Sequence, residues 1–211
     1  MRKIFFTVIL AGLVSLSYAQ SFMNGVGIHL MGNTNTIGGT DDFGFGVGII
    51  YSPRFNFLET EKLSVSAGIP LTLGIAISAS QTVDQYGSNY DNTSVGLTIN
   101  APLIINLNMG RGSTKANKEK IGYFVGAGFA FQYGIYVSDI YDPNRSDLLE
   151  DYSSSNYGPA ANAGVRFGVG RKHRNIELRL SYMAGLKKTD VISGFNSKRP
   201  SYFGVACLFN F

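Results

Sequence analysis

The chain has no Trp, one Cys, two His and six Pro, and only 15% of its residues are charged. Each scarcity excludes something. Cys207, standing alone, forms no disulfide framework, and no Cys/His set has the spacing of a zinc site. A formal charge of +4 gives no basis for nucleic-acid binding. After the first twenty residues, no apolar run reaches the ~20 residues a membrane helix needs. Helical periodicity does not persist anywhere in that part. No Gly-rich stretch opens a helix, so Gly126-Ala127-Gly128 is not a nucleotide site.

What is abundant is glycine and aromatic residues: 26 Gly, 15 Phe and 12 Tyr. The Gly recurs at alternate positions inside apolar runs, the period of a strand. Met1 to Ala19 reads as a secretory signal peptide. Arg2 and Lys3 start it, Ile4 to Leu16 is mostly apolar, and Ser17-Tyr18-Ala19 supplies small residues at the cleavage position. Its removal from 211 residues leaves 192 and lowers the charge to +2. That length suits one β domain, taken as 20–211. Cleavage leaves Gln20 first, where a lipoprotein needs Cys.

Alternation and turn signals give eight strands, at about 22–32, 43–54, 62–80, 93–109, 121–137, 156–170, 175–186 and 201–211. The clearest is the third, where Leu63, Val65, Ala67, Ile69, Leu71, Leu73, Ile75 and Ile77 alternate with small or polar residues. In the last, Phe203, Val205, Cys207, Phe209 and Phe211 share one face. If such a chain spans a membrane, it does so as a closed barrel, because lipid satisfies no backbone polar groups. The expected fold is all-β: an eight-stranded antiparallel up-and-down transmembrane barrel, with large apolar residues outward and Gly, Ser, Asn and Thr inward. A soluble barrel or sandwich is the alternative, with the opposite sense of faces. Tyr51, Tyr123, Phe209 and Phe211 mark one interfacial girdle; Phe43, Tyr133 and Phe203 mark the other.

The terminal strand resembles that of Gram-negative outer-membrane barrels. In those proteins alternating apolar residues ending on Phe are the signal read by the barrel-assembly machinery. The resemblance implies that role for Phe203, Val205, Phe209 and Phe211. The stretch Asn100-Ala101-Pro102-Leu103-Ile104-Ile105, a basic turn, and Tyr123-Phe124-Val125-Gly126-Ala127-Gly128-Phe129 resemble a Bacteroidota-type porin-family barrel, OmpX-like or PorT-like. The resemblance implies integral outer-membrane localisation and no particular activity.

An even strand count puts the odd-numbered connections outside the cell and the even-numbered ones in the periplasm. The expected loops are 33–42, 81–92, 138–155 and 187–200, with 138–155 the longest. Their expected partners are outer-membrane lipids, lipopolysaccharide and a surface partner. Asp139, Asp142, Asp147, Glu150 and Asp151 make the longest loop acidic without a calcium-loop pattern. Arg111, Lys115, Lys118, Lys120, Arg171, Lys172 and Arg174 crowd the periplasmic turns, where they serve solubility and orientation.

Arg54, Arg166, Glu177 and Arg179 have lumen parity. A buried charge needs a partner, so they are expected to form a salt-bridge network that plugs the barrel, with Arg166 and Arg179 adjacent and Glu177 diagonal. A narrow anion-preferring channel is the competing reading. A lipid-modifying enzyme is a further one. It is disfavoured because His29 has lumen parity, His173 lies in a periplasmic turn, and no extracellular loop holds a His. No cofactor or metal is expected. Pro70 and Pro102 sit mid-strand, where each removes a ladder donor; both have lumen parity and face each other across one hairpin.

Overall fold

The structure, a computed structural model, describes residues 21–37, 40–83, 89–114, 116–142, 145–170, 174–187 and 201–211. The expected leader Met1 to Ala19, the basic-turn residues Lys115, Arg171, Lys172 and His173, and nearly all of 187–200 lie outside these. Eleven strands form one antiparallel sheet: β1 (Ser21–Met23), β2 (Gly25–Ile37), β3 (Thr40–Tyr51), β4 (Arg54–Glu59), β5 (Leu63–Gly68), β6 (Leu71–Val83), β7 (Asn89–Gly110), β8 (Ile121–Asp142), β9 (Arg145–Gly168), β10 (Asn175–Ala184) and β11 (Ser201–Asn210). Three pairs of these are single staves with a short interruption. Met23 faces Arg54 and Val26 faces Tyr51 on one continuous register, so β1 and β2 break only at Asn24. Likewise β3 and β4 break at Ser52-Pro53, and β5 and β6 at Ile69-Pro70. The barrel therefore has eight staves, as its alternation predicts.

The sheet closes. β11 pairs with β2, and β7 with β8, so the eight staves form a closed ring. At the base, Asn24 and Phe211 exchange backbone hydrogen bonds of 3.2 and 2.9 Å. One circuit of facing residues runs Ser21, Asn56, Ser66, Asn106, Gly126, Asn162, Ser181, Gly204 and back to the first stave at Met31. The stagger is ten residues, which with eight staves tilts the strands about 40° from the axis.

Burial alternates along the staves, most regularly in β11, where every even residue from Tyr202 to Asn210 is buried and every odd one from Phe203 to Phe209 is exposed. The exposed set is apolar: Ile49 is 72% accessible, Leu180 62% and Leu73 59%. A continuous apolar exterior of this kind is matched by lipid, not water. The buried set is largely polar, with Asn56, Thr72, Asn100, Asn108 and Asn162 all facing in. That is the reverse of a soluble lipid-binding barrel. Phe43 and Phe203 pack at 5.9 Å towards one rim, and Phe209 and Phe211 at 6.4 Å towards the other.

Strand extends into three of the four expected loops. Within 33–42 the chain is strand to Ile37 and again from Thr40; within 81–92, to Val83 and again from Asn89. Within 138–155 the strands run on to Asp142 and resume at Arg145 as the upper part of a tall hairpin, in which Ser138 faces Glu150 and Val137 faces Asp151. The physical reason is that a ladder needs only paired N–H and C=O groups. Polar residues above the apolar band keep pairing, while hydropathy marks only where that band ends.

Candidate functional site

β9 and β10 place the charged residues. They pair antiparallel, and next to the ladder Val169 N–H donates to Arg174 C=O at 3.0 Å. That register puts Glu177 directly opposite Arg166 and leaves Arg179 opposite Gly164. Glu177 is therefore the bridge between the two arginines, not a diagonal neighbour. Arg166 Nε donates to Glu177 Oε2 at 2.7 Å, and Arg179 Nε donates to Oε1 at 2.8 Å with Nη2 at 2.5 Å. Asn210 Nδ2 adds a bond to Oε2 at 3.1 Å. The Arg166 guanidinium also lies 4.2 Å above the Phe124 ring, a cation–π contact in a desolvated site.

Arg54, the fourth expected member, does not touch Glu177. It joins through Asn108, whose Oδ1 accepts from Arg54 Nη1 at 3.4 Å and from Arg166 Nη1 at 3.0 Å. Asn108 Nδ2 donates onward to Ser66 Oγ at 2.9 Å. All four charged side chains are buried, Glu177 completely. Parity alone would have found Asn108 and Phe124, since both alternate inward. They were missed because neither is charged, so neither drew attention as a partner.

The second omission is larger. The basic turn after β7 is not a solvated connection; it folds into the base of the barrel. Arg111, Gly112, Ser113, Thr114 and Asn117 are buried. Gly112 C=O accepts from Arg54 Nη2 at 2.8 Å, and Ser113 C=O from Asn56 Nδ2 at 2.8 Å. Arg111 Nη2 donates to Arg174 C=O at 3.0 Å, and Asn117 Nδ2 to Glu61 C=O at 3.1 Å. Gly112 has φ +74°, and a Cβ there would lie 2.9 Å from Arg166 Cδ. Only Gly suits both the backbone and the contact.

Above the charged layer, Met31, Ile104, Ala130, Ala160, Met183 and Tyr202 form an apolar layer across the lumen. Higher still, Gln132 Nε2 donates to Asn33 Oδ1 at 3.2 Å. His29 is a lumen residue, with Nδ1 2.8 Å from Thr72 Oγ1 and Nε2 3.3 Å from Tyr202 Oη. Among the described residues, no cluster of His, Cys, Asp or Glu is arranged to hold a metal. Phe203, Val205, Phe209 and Phe211 all face outward, with Cys207 beside them.

No protein-family model matches the chain, and no curated protein does. Among solved structures it is similar to the attachment invasion locus protein Ail of Yersinia pestis, at 9% identity and TM-score 0.43, over 90% of this chain and 98% of that one. It is also similar to the outer-membrane protein OprG from Pseudomonas aeruginosa, at 8% identity and TM-score 0.48, over 91% and 95%. Neisserial surface protein A gives 10% identity and 0.35 over 91% and 97%. At these values the barrel assignment rests on the closed register and the alternating faces of this chain itself.

Proposed function

We propose that the chain is an integral outer-membrane β-barrel with a structural or surface-binding role, exported by its leader and without catalytic activity. The observation that carries this is an apolar exterior wrapped around a lumen that side chains fill. Charged, apolar and polar layers succeed one another from the basal turn to Gln132. With eight strands there is little bore left for flow, so what the molecule offers its surroundings is its hairpins. The tallest is β8 and β9, of 22 and 24 residues. Its partners in this reading are outer-membrane lipid and lipopolysaccharide, and a surface partner at the hairpin tips. During biogenesis the outward row Phe203, Val205, Phe209 and Phe211 serves as the assembly signal. The finer Bacteroidota-type assignment rests on the two strands around Pro102 and Tyr123 alone.

The reading predicts a protein that stays in carbonate-washed membranes, migrates differently on gels before and after heating, and gives no steady current in a planar bilayer. A sustained anion-selective current would replace the plugged barrel with a channel. Release by carbonate would remove the membrane reading altogether.

A further inference from the structure

The buried charge of the lumen does not balance. Among the described residues, Arg54, Arg166 and Arg179 are all at least nine-tenths buried, against one equally buried carboxylate, Glu177. Both oxygens of Glu177 are already engaged by Arg166, Arg179 and Asn210. The contacts of Arg54 are neutral: Asn108 Oδ1, Gly112 C=O and Met23 Sδ. Glu59, half-buried at the basal rim and bonded to Ser21 and Asn56, offsets part of the Arg54 charge. At least one positive charge is left around Arg166 and Arg179 in a low-dielectric interior, where an uncompensated ion is strongly disfavoured.

Directly above this layer lies a cavity of about 20 Å³, lined by Arg179, Ser181, His29, Thr72, Asn100 and Asn162 among others. Arg179 is the one guanidinium that lines it. Its Nη1 is fully buried and has no acceptor among the described residues. The Ser181 hydroxyl offers a second donor nearby. A cavity of this size holds one water-sized particle. A water would satisfy the donor but bring no charge. A halide brings charge as a single atom, so it asks least of a space this small.

We propose that this cavity binds a single chloride ion, held by Arg179 Nη1, as the missing counter-charge of the lumen network. The inference rests on the closed-lumen reading, since in a conducting barrel a halide here would be a passing ion. Two measurements test it. In crystals grown with bromide replacing chloride, an anomalous peak is expected within hydrogen-bonding distance of Arg179 Nη1; a water-like peak without anomalous signal overturns the site. In detergent, chloride is expected to raise the melting midpoint by a few degrees over gluconate at equal ionic strength, and Arg179→Gln to abolish that difference. Equal midpoints for the wild-type protein in both salts also overturn it. The bilayer current is read separately, so an absent halide site and an open pore are distinguishable failures.

Discussion

At the scale of single residues, the network turns on Glu177. Among the described residues it is the one carboxylate that holds two guanidiniums, 2.7 and 2.5 Å away. Glu177→Gln keeps the volume and removes the charge, leaving buried arginines without their partner. Breaking a buried pair from one side costs about 3–5 kcal/mol. The temperature at which the folded gel band disappears should fall steeply, and adding Arg179→Gln should recover part of the loss, because the two changes share one interaction. If Glu177→Gln melted like the wild type, the network would not hold the base. That these four residues face inward was legible from parity. Which of them touch was not. Contact depends on register, here the pairing of Glu177 with Arg166 across β9 and β10, which hydropathy does not encode.

At the scale of the strands, the interruption between β5 and β6 has a definite origin. Gly110 N–H donates to Lys62 C=O, so even-numbered residues of this stave aim their backbone groups at β7. Pro70 and Pro102 then oppose each other at a position that should exchange two N–H···O bonds, and neither has an N–H. The register stops at Gly68–Ile104 and resumes at Thr72–Asn100. The wall lacks its ladder there for about 13 Å. Restoring both donors with Pro70→Val and Pro102→Thr is expected to slow amide exchange at residues 68–72 and 100–104, and to stabilise the barrel by about 1 kcal/mol per bond regained. Unchanged exchange would mean that the seam is closed by other means. Opposed prolines were visible in the sequence because the hairpin is symmetric about its loop. Strand ends were not, because Ser138 to Ser155 is polar yet still pairs.

At the scale of the whole molecule, an even strand count and one apolar face per strand were enough to anticipate a closed barrel with lipid outside. The basal cap was not anticipated. Gly110 to Lys120 has the composition of a solvated turn, and its burial comes from backbone carbonyls at Gly112 and Ser113 meeting Arg54 and Asn56 from a distant stave. The only local trace is Gly at positions of positive φ, 110 and 112. The central claim, lipid outside and a sealed polar lumen inside, is tested most directly along β11. In a Cys207→Ala background, a spin label is placed in turn at each position from 202 to 209 in reconstituted bilayers. Labels at 203, 205, 207 and 209 should be relaxed by oxygen dissolved in the bilayer and not by a water-soluble nickel complex. Labels at 202, 204, 206 and 208 should be shielded from both. Relaxation of the odd positions by the water-soluble complex would contradict a lipid-facing exterior, and the membrane-barrel account with it.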